Sequence, residues 1–359
     1  MLKYIVRRIL YGLLVLWGVT TVVFFLFNIL PGDPARMLLG QRADIASVEA
    51  INKDLGLDKP ISIQYFSFLN DISIVSFHSI NEDKGFWYYN TEKYTFSSQI
   101  ISFGDIAIVL KAPYLRKSYQ SKRSVSSIIM EAFPKTLLLA STSILLALLL
   151  GIALGIVAAL YKDSVLDRSL LVFSSLGMSL PSFFAAILIA WFFAFILTDY
   201  TGLEMYGSLY SVDDYSGEVY LNLKNLILPA LTLGIRPLAI VISLSRSSLL
   251  DVLSQDYIRT AYAKGLSSFD VVVKHGLRNS LNPVITAISG WFASLMAGAV
   301  FVEYVFDWKG IGVLIVDSLE KYDLPVIMGS VLFISLMLIV INILVDISYA
   351  VLDPRVRLD

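Results

Sequence analysis

Six times along this chain, apolar residues run on for at least the width of a bilayer: residues 9–30, 136–160, 169–197, 225–244, 283–302 and 324–345. About 20 apolar residues in a helix cross the hydrocarbon layer, so each run predicts a membrane span. Five of them hold no charged residue, and the fourth holds one, Arg236. The pattern predicts an all-α membrane protein with six transmembrane helices and an enlarged outer loop subdomain after helix 1. It divides the chain into an anchor (1–30), an extracytoplasmic subdomain (31–135) and a five-helix core (136–359). That core carries a polar cytoplasmic elbow at 254–282.

Composition agrees. The chain is 57% hydrophobic and 16% charged, with mean hydropathy +0.73, where ordinary soluble domains are about 25% charged. Lys3, Arg7 and Arg8 precede the first run as they would in a signal peptide. The run is too long for a signal core, and "NILPGDPARM" offers no small-x-small cleavage site, so it reads as a retained anchor. A net charge of −1 excludes bulk electrostatic binding of nucleic acid. With no cysteine there is neither a disulfide framework nor a thiolate metal site. His78 and His275 lie far apart and form no ligand cluster.

Basic residues set the orientation, because short cytoplasmic loops carry the excess Lys and Arg. With the N-terminus inside, the inner loops hold Lys3, Arg7, Arg8, Lys162, Arg168, Arg246, Arg259, Lys264, Lys274, Arg278, Arg355 and Arg357. The short outer loops hold Lys224, Lys309 and Lys321. Both termini are therefore expected in the cytoplasm. The long segment 31–135 contains many Lys and Arg too, but long loops translocate largely regardless of charge. Within it, Val48, Ile51 and Leu55 have helical spacing and Gly56 is a stop, while "KGFWYYNTEKYTF" reads as strand or loop. The segment serves either as a solvated lid or as a docking surface for a partner.

The most patterned polar stretch is "SQDYIRTAYAKGLSSFDVVVKHGLRNSLNP", 254–283. Ser254 or Asp256 is expected to cap a short helix whose inner face is Ile258, Ala261 and Tyr262. Gly265 stops it, since glycine alone takes the left-handed C′ conformation without a Cβ penalty. Ser267 caps a second helix, with Asp270 as capping-box partner. Phe269, Val272, Val273 and Leu277 form that helix's apolar stripe. Small residues at Ala261, Ala263 and Gly265 admit another backbone. The product is a helix–glycine–helix elbow that either docks a partner protein or lies as a basic amphipathic pair on anionic headgroups.

"DYIRTAYAKGL" resembles the cytoplasmic coupling loop, the EAA motif, of permease subunits in bacterial ABC importers. The narrower resemblance is to the dipeptide/oligopeptide/nickel branch of binding-protein-dependent importers. In chain order it is supported by "LPGDPA" (30–35), "LGLDKPISIQYFSFL" (55–69), "FGD" (103–105), "LPALTLG" (228–234), "RNSLNPVIT" (278–286), "GAVFVEYVFDWKGIG" (298–312) and "VDISYAVLDPRVR" (345–357). The resemblance implies that Asp256, Tyr257, Arg259, Thr260, Ala261, Ala263, Lys264, Gly265 and Leu266 meet a separate ATPase. It also implies a second permease subunit, identical or similar, two ATPase subunits, an extracytoplasmic binding protein and a short peptide substrate. The chain departs from the family pattern at Tyr262, usually Arg or polar; at Ser243, where an Arg is expected; and in an expanded outer loop.

The chain has no G-x-x-x-x-G-K-[ST] loop to cradle a nucleotide. ATP is thus expected on the partner; this chain is expected to be a transport subunit and not an enzyme, without cofactor or metal of its own. Arg236 costs about 2.5–3.5 kcal/mol near mid-span and faces a bundle interior or wet cavity in most such cases. It is read as a pathway residue meeting a substrate carboxylate, as a structural partner of a backbone carbonyl, or as a residue that snorkels from a displaced span, with Pro237 weakening the helix beside it. Pro181 and "GIALG" (151–155) are read as packing features, and Glu303 and Asp307 as solvated at the outer end of the fifth span. Three alternatives stay open: a nickel-chelate permease of the same branch, an ion-coupled secondary transporter acting alone, and a membrane scaffold without a pathway.

Overall fold

The computed structural model describes residues 2–29, 58–81, 88–89, 93–94, 97–213 and 216–352. The expected helix at 48–56 and the "LPGDPA" stretch lie outside the described residues. The chain divides into two compact units. One comprises residues 1–8, 132–314 and 337–359, and the other residues 9–131 and 315–336.

The second unit holds most of α1 (Leu2–Ile29), then α2 (Ile61–Ile72), and a sheet of β1 (Val75–Ser79), β2 (Ser97–Phe103) and β3 (Ile106–Lys111). The sheet is antiparallel in the order β1-β3-β2, so the segment after α1 adds a small β element to a mostly helical protein. Phe24 of α1 stacks on Phe68 of α2 at 5.6 Å, and Leu332 completes that cluster. Alternation along β3 sends Ala107, Val109 and Lys111 inward.

Beneath the sheet, the buried Asp71 accepts from Tyr94 Oη at 2.9 Å, Lys93 Nζ at 3.2 Å and Arg116 Nε at 3.4 Å. Lys111 Nζ donates to the Asp71 and Ser73 carbonyls at 2.5 and 3.2 Å, closing the C-terminal end of α2. It lies 4.9 Å from the Tyr94 ring. Burial lowers the Lys111 ammonium to about 8 against the pull of Asp71, and burial raises the Tyr94 and Tyr114 hydroxyls.

The first unit is built on helices. α3 (Val125–Leu160) begins well before the expected residue 136. Its 36 residues measure about 54 Å, longer than the hydrocarbon layer is thick. α4 (Val165–Ser179) and α5 (Ser182–Ile189) follow, and α5 continues as a π-helical turn, Ala190–Ile196. A two-stranded hairpin, β4 (Tyr210–Val212) with β5 (Val219–Leu221), leads to α6 (Ile227–Leu253). Then come α7 (Asp256–Ala263), α8 (helical over 268–280, π-helical at Val271–Leu277), α9 (Asn282–Gly298) and α10 (Val300–Phe306), while α11 (Ile311–Glu320) and α12 (Leu324–Leu352) belong partly to this unit and partly to the second.

Among the described residues, four helices suffice individually to cross a membrane: Val6–Phe27, Val125–Leu160, Leu223–Leu253 and Leu324–Ile347. The third and fifth expected spans are bent pairs, α4 with α5 at 115° and α9 with α10 at 60°, which bring the number to six if each pair is one span. Pro181 is therefore more than a packing feature. A proline lacks an N–H, and the residue before it is pushed out of the helical region; Leu180 is extended (φ −71°, ψ 131°), and the helix stops there. Pro237 does not have that effect, since α6 runs through it unbroken. "GIALG" does pack: a Cβ on Gly151 or Gly155 would meet α6 side chains at 2.6 and 2.5 Å, so α3 lies directly on α6.

Candidate functional site

The elbow is closed by backbone geometry. Gly265 has φ +80°. Leu266 N–H donates to the Ala261 carbonyl at 3.3 Å and Gly265 N–H to the Tyr262 carbonyl at 2.9 Å, the paired bonds of a Schellman stop. Ile258 and Ala261 of α7 are buried with Val271 of α8, flanked by Val252 and Leu253. Ser267 Oγ accepts from Asp270 N–H at 3.1 Å and donates to the Asp270 carboxylate at 2.6 Å, so the expected cap forms. The Lys274 ammonium at 2.7 Å, and then Ser267, hold that carboxyl below the usual carboxylate range. Tyr257 ties the two ends together, accepting from Asn279 Nδ2 at 2.9 Å.

Two expectations for the elbow change. Gln255 occupies the N-cap of α7 without a side-chain bond to that helix's N–H groups, its Nε2 donating instead to the Asp251 carbonyl at 3.3 Å; Ser254 ends α6 by bonding back to the same carbonyl. The stripe on α8 also shifts. The π-helical stretch lengthens the repeat to i→i+5, so Val271, Val272 and Gly276 are buried, while Phe269 is 76% exposed and Val273 is exposed.

Of the residues expected to meet a partner, Asp256, Tyr257, Arg259, Thr260, Ala263, Lys264, Gly265 and Leu266 are exposed. Ala261 is buried and holds the two helices together. Tyr262, expected on the inner face, is 46% exposed. Tyr257, Tyr262, Leu266 and Phe269 thus present apolar surface among charges. A Cβ on Gly265 would meet nothing within 4 Å, so that side of the turn is open.

Arg236 is half-buried on α6. Its Nε and Nη2 both donate to the Leu180 carbonyl, at 3.3 and 3.0 Å, at the break between α4 and α5. It lines a cavity with Leu180, Ser182, Thr232, Trp291 and Ser294, among others. The carbonyl partner read as one option is present; the cavity is present as well.

Three features escaped the sequence reading. Asp167, whose side chain is 2% exposed, takes Arg246 in a two-pronged pair at 2.5 and 2.7 Å, joining α4 to α6. Only its place four residues into "SVLD", a capping-box spacing, hinted at a role. Glu303 is fully buried and not solvated: its Oε2 accepts from Gly312 N–H at 2.7 Å, anchoring the start of α11. Asp307 is about half exposed, as expected. The third is the Leu180 carbonyl itself. Among the described residues no group of His, Cys, Asp and Glu could hold a metal ion.

Residues 151–358 match the family described as binding-protein-dependent transport system inner membrane component, and residues 1–84 match its N-terminal counterpart. The chain belongs to this family. A Brucella suis protein named as a peptide permease is 34% identical over 361 residues, spanning 99% of both chains. The glutathione transport system permease proteins of Escherichia coli (strain K12) and Salmonella typhimurium are each 36% identical over 357 residues, again 99% of both chains. The chain is thus a multi-pass membrane component of an import system that depends on a binding protein, a transport subunit of the ABC permease class and not an enzyme.

Proposed function

We propose that this permease carries short peptides, and that its elbow is the lever through which a separate ATPase moves it. The names of the relatives support peptides over nickel chelates. The carrying observation for the lever is the elbow's build: rigid within, open without. Schellman closure, the Ser267 cap and the Ile258–Ala261–Val271 contact fix its angle. Tyr257, Tyr262, Leu266 and Phe269 then offer a partner apolar anchors. α8 leads directly into α9, and α7 follows α6, so force on the elbow tilts the fourth and fifth spans as rigid bodies.

In this reading a second permease, identical or similar, completes the pathway, and two ATPase subunits bind from the cytoplasm, where both termini lie. An extracytoplasmic binding protein delivers substrate. Dependence on a binding protein speaks against an ion-coupled carrier acting alone, and the buried Glu303 is engaged in holding α11.

The test is co-purification of the ATPase subunits with the chain. Tyr262→Glu and Leu266→Glu alter exposed side chains and leave the packing of Ile258 and Ala261 intact. Each is expected to lower ATPase recovery at least tenfold, and Gly265→Val to do so by distorting the turn. Undiminished recovery with both glutamates, together with protection of Phe269 by lipid alone, overturns the lever in favour of a membrane-surface helix pair.

A further inference from the structure

We propose that the cavity beside Arg236 binds the terminal carboxylate of a peptide in transit, with the guanidinium shared between that carboxylate and the broken end of α4. The proposal rests on the reading of this chain as a peptide permease.

The guanidinium has five N–H donors. Two go to the Leu180 carbonyl, through Nε and Nη2. The remaining donors include both on Nη1 and one on Nη2, the fork that takes a carboxylate with two parallel bonds. Among the described residues no carboxylate pairs with Arg236, and none lines the cavity. The other polar groups there are the hydroxyls of Ser182, Thr232 and Ser294 and the indole of Trp291. Thr232 is occupied with the Leu228 carbonyl at 2.8 Å. The cavity therefore offers hydrogen-bond donors and an uncompensated positive charge, with apolar walls from Ala185, Leu233 and Leu295.

Capping alone does not account for a cation here. The cap needs donors and not a charge: a neutral side-chain amide also carries N–H groups that can reach a carbonyl, whereas an arginine within an apolar span bears the cost of desolvating its charge. The charge is surplus to the structural role, and its free fork faces the class of ligand every peptide with an open C-terminus carries. The break at Pro181 adds to this: Ser182, the first residue of α5, lines the cavity, and the opening N–H groups of a helix lack internal acceptors.

The experiment uses the full chain in nanodiscs, titrated with tri-alanine and with tri-alanine amide while tryptophan emission is recorded. Trp291→Phe identifies the signal from the cavity. The free acid is expected to half-saturate at a concentration at least tenfold below the amide. Arg236→Gln keeps a donor for Leu180 and is expected to abolish that preference; Arg236→Lys is expected to retain part of it. Equal response to acid and amide, or a preference that survives Arg236→Gln, overturns the site. In the assembled importer in proteoliposomes, Arg236→Gln is expected to shrink the acid-to-amide uptake ratio. A proportional loss of both probes at an unchanged ratio assigns Arg236 a purely structural role and also overturns the site. Should the elbow fail to recruit an ATPase while the nanodisc preference holds, the coupling reading falls and the carboxylate site stands.

Discussion

Lys111 and Arg236 perform the same local task in the two units and differ in everything around it. Each is a cation set on the carbonyls that end a helix: Lys111 on Asp71 and Ser73 at the end of α2, Arg236 on Leu180 at the end of α4. Lys111 is 3% exposed and boxed in by the Tyr94 ring, with the Asp71 carboxylate shared nearby with Lys93 and Arg116. Arg236 opens onto a cavity without an acid in its walls. A capping cation whose charge is balanced and enclosed is architecture. One that performs the same cap while keeping an unbalanced fork toward open space has capacity left for a ligand.

The largest test of this contrast is removal of the balancing acid. Asp71→Asn removes the buried carboxylate that Lys93, Arg116 and the Tyr94 hydroxyl share. Loss of one partner of a buried pair costs about 3 kcal/mol, the low end of the usual range, because Lys93 and Arg116 keep some water. Hydrogen exchange in β1 and β3 is expected to speed up accordingly. A change within error would mean that the Asp71 cluster is not held by charge balance, and the contrast would lose one of its terms.

Arg236→Gln is expected to cost less, about 1–2 kcal/mol, because it weakens one capped carbonyl and leaves no stranded counter-ion. Thermal unfolding of the chain in detergent measures it. A penalty as large as that of Asp71→Asn would point to an anionic partner for Arg236 and so remove the basis for an unbalanced charge.

Third comes pH. Lys111 sits at about 8 when folded, below the ordinary lysine value. Between the two values the unfolded chain binds the extra proton, so stability of the sheet and α2 rises with pH from about 8 to about 10, by roughly 1–2 kcal/mol. Above that the raised hydroxyls of Tyr94 and Tyr114 reverse the trend, since the unfolded tyrosines ionise first. Proteolysis within residues 58–111 against pH checks the rise, and Lys111→Met is expected to flatten it.

What could be read in advance follows the distance over which each feature is made. Four spans, the Gly265 stop and the Ser267 cap are set by residues within a few positions of one another, and they fold as their local chemistry directs. Arg236 stands out in sequence because a charge in an apolar run is conspicuous, but its acceptor lies 56 residues away. The Asp167–Arg246 pair spans 79 residues. Pro181 was visible as a proline and invisible as a 115° turn, since where the chain goes after a break is decided by what α5 packs on. The shifted stripe on α8 had no signal either: apolar residues in "FDVVVKHGL" suit an α period as well as the wider one that forms.

The smallest effect isolates a cap made wholly by near neighbours. Ser267 and Asp270 bond reciprocally at the start of α8, with Lys274 one turn on. Ser267→Ala is expected to cost about 1 kcal/mol, the usual value for an N-cap. Because the Schellman bonds of α7 do not involve this side chain, exchange should quicken at the amides of 268–270 and remain unchanged at Gly265 and Leu266. Spread of the effect into α7 would show that the elbow's two halves share one stability, in which case the cap sets the lever's angle and not merely the end of one helix. Confinement to α8 would leave the angle to the glycine turn and to Ala261 against Val271, both fixed by contacts that exposed substitutions do not reach.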